Sequence, residues 1–184
     1  MRKFGLFVFL IFGLSLVHAQ AKKSKKRVSS VAVNGSITQT SNWCGGARPT
    51  EEMEREFRTP KPFDNCTLYV RKDSNQLTKP ILHTLTTDAR GKFQLRLSPG
   101  KYVVVDILKK NDSVYQSTIH KYKEATQTTG PIDISCYNNF VALPDFTIIV
   151  PKNATKSVNV SHNYHQHCNW SGAPCVEFRG PYPP

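Results

Sequence analysis

Signatures of catalysis are scarce in this chain. Its 184 residues contain no glycine-rich phosphate loop, no Gly-x-Ser-x-Gly elbow and no His-Glu-x-x-His motif. Nucleotide, serine-hydrolase and zinc-protease chemistries therefore lack their usual sequence basis. There is no internal repeat, and no low-complexity block beyond a short lysine-rich tail. Acidic residues number 13 against 25 lysines and arginines, for a formal charge of +12. Much of that excess sits in Lys22, Lys23, Lys25, Lys26 and Arg27. No aromatic residue interleaves with these lysines, as a single-strand nucleic-acid binder would need for stacking. The tail reads as a solvated spacer with electrostatic affinity for an anionic envelope, and no nucleic-acid partner is expected.

What the chain has at its start is an address. A basic MRK, the apolar run FGLFVFLIFGLSLV and small residues Val17 and Ala19 before Gln20 describe a signal peptide cut after Ala19. The run is too short to favour a membrane span, so none is expected after cleavage. The product is expected to be exported, either periplasmic or secreted. In that compartment five cysteines argue for disulfides with one thiol left over. The expected layout is a signal peptide over 1–19, a basic tail over 20–28, a folded domain over 29–165 and a Cys/Pro-rich segment over 166–184.

Alternation of apolar and polar positions dominates the domain and points to strands. Val31, Val33, Gly35 and Ile37 share one face of a first strand, and Cys66, Leu68 and Val70 one face of a second. Cys66 thus reads as a core thiol rather than a reactive one. ILHTLTT is a third strand. The turn DARG, with Asp88 and Gly91, leads into KFQLRL, whose Phe93, Leu95 and Leu97 face one way. After SPG, KYVVVDILKK reads as a central strand with Val103, Val105 and Ile107 inward. FTIIV and SVNVSHNY complete seven. TEEMEREF forms a short helix after the first strand, capped by Thr50 and stopped by Pro60 and Pro62. Residues 111–145 read as a long polar connection, with one helical turn in CYNNFVAL. Seven short strands at regular spacing describe an all-β sandwich.

The stretch TTDARGKFQLRLSPGKYVVVDI resembles the carboxypeptidase regulatory-like domain. The match covers residues 84–107 well and extends to VAVNGSITQT and CTLYVRK, about half of the exported chain. The resemblance implies a seven-stranded Greek-key sandwich, transthyretin-like (prealbumin-like). The pieces NWCGGARPTEE and GAPCVEFRGPYPP resemble small exported Bacteroidota proteins that carry this sandwich alone. It implies a passive role in binding or assembly, since the family usually accompanies a peptidase, receptor barrel or adhesin, and none is attached here. Hydroxyisourate hydrolases share the fold but end in Tyr-Arg-Gly-Ser, whereas this chain ends in Phe178-Arg179-Gly180-Pro181. Intradiol dioxygenases use His-x-His ligands with tyrosines on a related sandwich. Tyr164 and Tyr137 bring them to mind, but the rest of their pattern is missing.

Two constellations remain. Strand alternation over SHNYHQHCNW places His165 and His167 on one face and His162, Tyr164 and Cys168 on the other. Two imidazoles suit Cu²⁺ or Zn²⁺ but do not complete a zinc site, so a polar strand end is the simpler expectation. The loop Cys168–Cys175 is short enough for a disulfide, which leaves Cys44 with Cys136; a Cys44–Cys175 crossing is equally allowed. Six Asn-x-Ser/Thr sites (Asn34, Asn65, Asn111, Asn153, Asn159, Asn169) would be glycan acceptors in a eukaryotic secretory chain. In a bacterial one they need carry nothing by that route. The expectation is a non-catalytic module of the cell envelope with a protein or polysaccharide partner and no required cofactor. The alternative is a periplasmic copper or zinc binder built on His165 and His167, with His162 as a further ligand.

Overall fold

The computed structural model describes residues 30–181; the expected signal peptide and basic tail lie outside them. Ten strands run β1 Val31–Ser41, β2 Lys61–Pro62, β3 Thr67–Lys72, β4 His83–Thr86, β5 Lys92–Leu97, β6 Gly100–Val105, β7 Thr129–Ile132, β8 Phe146–Val150, β9 Val158–Gln166 and β10 Val176–Phe178. Three helices join them: α1 Glu51–Arg58, α2 Asp112–Lys121 and α3 Ile134–Ala142. Among the described residues there are thus ten strands in three sheets, not seven in two. None of the helices is long and apolar enough to cross a membrane.

The first sheet is built on β1, which pairs antiparallel with β5 and β2 and parallel with β9. The second runs β4-β3-β6-β8, antiparallel throughout. One core lies between them: Val31, Val33 and Ile37 of β1 and Phe93 and Leu97 of β5 meet Leu68, Val70, Tyr102, Val104, Ile148 and Val150. Gly35 belongs to the same face for a steric reason, because a Cβ there would stand 2.1 Å from the Phe93 ring. The β4–β5 reversal follows its turn chemistry. Asp88 Oδ1 accepts from the N–H groups of Arg90 and Lys92 at 2.8 Å. Gly91 sits at φ +68°, where a Cβ would strike the Ile37 carbonyl at 2.2 Å.

Strand β6 departs from expectation. Tyr102 and Val104 face the sandwich core, while Val103 and Val105 are buried on the opposite face and Ile107 lies exposed in a 3₁₀ turn. Alternation could not assign the faces because this strand is covered on both sides. The covering layer comes from residues 111–145, which fold into two helices rather than a polar connection. Asn111 caps α2 by accepting from Val114 N, and Asp133 caps α3 by accepting from Cys136 N. Ile132, Tyr137, Val141, Ala173 and Val176 form a second, smaller core between α2, α3 and the β7–β10 pair. On the same outer face the Arg71 guanidinium is fully buried without a carboxylate. It donates instead to the carbonyls of Lys79, Lys109 and Lys110 and to Asn75 Oδ1, tying two loop segments to β3.

Candidate functional site

Chemistry-bearing side chains gather at one end of the sandwich, where β1 and β9 finish, β6 finishes and β3 and β8 begin. The parallel register of β1 with β9 runs to Ser41 opposite Gln166. Cys44 and Cys168, each just past its strand, therefore emerge side by side with Cα atoms 5.5 Å apart, and they are bonded. Cys136 of α3 is bonded to Cys175, whose carbonyl accepts from Asp133 N at 2.9 Å. Both expected pairings are thereby corrected: Cys168 is not joined to Cys175 across the short loop, nor Cys44 to the remaining Cys136. A Cys44–Cys175 bond is absent as well. The reason is tertiary, since strand register and not loop length decides which Cα atoms meet. The segment from Cys168 to Cys175 is thus pinned at one end to the first sheet and at the other to the helical layer. Each bridge restricts the unfolded chain by roughly 4–5 kcal/mol on loop-entropy grounds.

Between that segment and the sandwich lies an open cleft of about 360 Å³. Its apolar walls include Leu108, Phe140 and Pro174, and its polar groups include Asp106, His167 and Ser171. Behind Asp106 is a set of buried charges. Lys109 Nζ lies 2.6 Å from Asp145 Oδ1 with both side chains 10% exposed or less. The same ammonium sits 4.1 Å over the Phe140 ring. Asp145 Oδ2 accepts from Asp106 N at 2.6 Å, and Asp106 Oδ1 accepts from Lys109 N at 3.2 Å. Burial, aided by the neighbouring Asp145 carboxylate, holds the Asp106 carboxyl above its usual range. These residues were not legible as a group, although each acid stands where an apolar strand begins or ends.

The histidines separate as the alternation of β9 requires. His162 turns inward, its ring stacked on Phe146 at 4.6 Å and edge-on to Tyr164 at 4.8 Å. Burial lowers its pKa, opposed in part by Asp145. Tyr164 and Cys66 pack beside the main core. The Tyr164 hydroxyl is buried without a hydrogen-bond partner among the described residues, and burial drives its pKa far upward. Burial likewise pushes the Cys66 thiol up to about 11, which leaves little thiolate at neutral pH. His165 and His167 point outward, exposed, with ring centroids 4.8 Å apart and planes at 80°. His165 Nδ1 lies 3.1 Å from Thr40 Oγ1, which also accepts from Asn163 Nδ2 at 3.0 Å. His162 is thus parted from the pair. Among the described residues no three His, Cys, Asp or Glu side chains are placed to share one metal ion.

The outward face of the first sheet continues this polar pattern. Cross-strand neighbours pair amide with amide and hydroxyl with amide: Gln94 Nε2 donates to Asn34 Oδ1 at 2.9 Å and Thr38 Oγ1 to Asn163 Oδ1 at 2.8 Å. Ser36 lies opposite both Ser161 and Lys92. Four of the Asn-x-Ser/Thr asparagines are exposed, Asn65, Asn153, Asn159 and Asn169. Asn111 is engaged as a helix cap and Asn34 in the ladder.

No protein-family model matches the chain, and no curated protein does. Two solved structures run alongside about three quarters of it. One is a 9R-lipoxygenase from Cyanothece PCC8801, 14% identical with a TM-score of 0.32, covering 74% of this chain and 16% of its own. The other is a DUF3823 family protein from Parabacteroides merdae ATCC 43184, 11% identical with a TM-score of 0.29, covering 76% of this chain and 46% of its own. The chain spans less than half the length of either neighbour, and at these TM-scores neither likeness bears on its activity.

Proposed function

We propose that this chain is an exported, non-catalytic binding module of a cell envelope, a transthyretin-like sandwich of the carboxypeptidase regulatory-like type. Its ligand is a polysaccharide, held on the outward face of the first sheet. The observation that carries the reading is the ladder on that face. Asn34, Ser36 and Thr38 of β1 line up with Asn159, Ser161 and Asn163 of β9 and with Gln94 of β5. Side-chain amides and hydroxyls repeated at the strand spacing offer a row of donors and acceptors without an acidic residue among them. Sugar hydroxyls match that chemistry.

Two disulfides suit an oxidising compartment. A non-catalytic role fits the state of the reactive groups. Cys168 is in a disulfide, the Cys66 thiol is held high and Lys109 is paired with Asp145. The experiment is retention of the exported protein by peptidoglycan sacculi and by neutral and acidic polysaccharides in affinity electrophoresis. Retention by at least one, lost in Ser161→Glu, is expected. Retention by none, or unchanged retention of the folded variant, would exclude the polysaccharide and leave an envelope protein as the partner class.

A further inference from the structure

We propose that His165 and His167 form a two-imidazole site for a divalent transition ion, with Cu²⁺ preferred. The first support is placement. His165 sits within the β1–β9 ladder opposite Thr40, and His167 lies one residue beyond its end, directly before the bonded Cys168. Both rings project from one face because strand residues two apart do so. The disulfide keeps that alternation from fraying at its last position.

The second support is the separation. An imidazole nitrogen about 2.0–2.1 Å from a metal puts its ring centroid roughly 3.2 Å from the ion. Two such rings subtending 90° lie roughly 4.5 Å apart, and at a tetrahedral angle roughly 5.2 Å. The observed 4.8 Å falls between these, so the spacing of the rings suits one shared ion, with rotation of the exposed side chains turning a nitrogen of each toward it. The third support is orientation. Thr40 Oγ1 lies 3.1 Å from His165 Nδ1 and turns Nε2 away from the ladder. An ion at Nε2 selects the tautomer whose Nδ1–H donates to that hydroxyl, the arrangement that fixes metal-binding histidines in general.

The pair supplies two positions, and the remainder stay open to water or an incoming ligand; His167 also lines the Asp106 cleft. A site of this kind exchanges its ion readily. Among divalent ions an imidazole pair selects Cu²⁺ over Zn²⁺, following the general affinity order and the tolerance of Cu²⁺ for two cis nitrogens in a square plane. The site is independent of the polysaccharide reading, whose test changes Ser161.

The test is titration of the exported protein with Cu²⁺ and with Zn²⁺, followed by calorimetry and by electron paramagnetic resonance of the Cu²⁺ form. One Cu²⁺ per chain with nitrogen hyperfine structure is expected, with Zn²⁺ weaker. His165→Ala and His167→Ala should each weaken Cu²⁺ by about tenfold or more, and the double variant should abolish the signal. His120→Ala, an exposed histidine in α2, serves as the control and should bind as the parent does. Unchanged binding in the folded double variant, or an equal loss in His120→Ala, would overturn the proposal. Because both ligands are exposed, the variants should retain the parent's unfolding midpoint, which separates loss of the site from loss of the fold.

Discussion

Replacing Lys109 by Met would leave the Asp145 carboxylate buried and unpaired. The ion pair is short, 2.6 Å, and its two side chains are 5% and 10% exposed, so water cannot take over the lost partner. Breaking one side of a buried pair costs about 3–5 kcal/mol, against about 0–1 for an exposed one. Methionine retains the contact with the Phe140 ring, so the loss is electrostatic rather than a cavity. With a urea slope of about 2 kcal/mol per molar, the unfolding midpoint should fall by roughly 1.5–2.5 M. Lys109→Met/Asp145→Leu should be less destabilised than either single change, because neither charge is then stranded. Its residual cost is about 1–3 kcal/mol for the Asp106 N–H deprived of its acceptor. Urea unfolding of the four proteins, disulfides intact, provides the comparison. A Lys109→Met cost below about 1 kcal/mol, or single costs that simply add in the double variant, would refute the claim that this pair is buried and coupled.

Gly35→Ala should cost about 1–3 kcal/mol by overpacking against Phe93, and Phe93→Leu should recover part of it, again read by urea unfolding. Cys66 in the native protein should react with iodoacetamide at pH 8 about a hundredfold more slowly than in urea, given a thiol near pKa 11; native and unfolded rates within tenfold would contradict its burial. Asp106 has a raised pKa, so the native state holds its proton more tightly than the unfolded chain, and stability falls as pH rises above the ordinary carboxyl range. Asp106→Asn, which keeps an acceptor for Lys109 N, should remove that fall. His162 is opposite in sign. Its lowered pKa favours the neutral ring, so stability declines as pH falls below about 6.5, and His162→Phe should flatten that limb.

Alternation alone sorted the inner and outer residues of β1 and β9, because each packs one face on the core and turns the other outward and the strand period is two. In β3 it picked out Leu68 and Val70, although Tyr69 and Arg71 are buried on the opposite face. Cap and turn chemistry likewise located α1 and the Asp88–Gly91 reversal, since those signals act over three or four residues. Strand β6 resisted the same reading because both of its faces are covered. The helices α2 and α3 were obscured by polar composition, although Asn111 and Asp133 mark their starts. Their stability comes from a small second core whose members are scattered between positions 132 and 176.

The sequence by itself therefore determined a strand-rich chain, the opposed facing of His162 and the His165–His167 pair, and four cysteines suited to bridges. Only the tertiary structure decided which cysteines meet, that Asp106, Asp145 and Lys109 close together behind a cleft, and that a row of amides and hydroxyls crosses three strands. Local periodicity records which way a side chain points from its own strand. The parallel pairing of β1 with β9 joins residues about 125 positions apart, and no local pattern carries that choice.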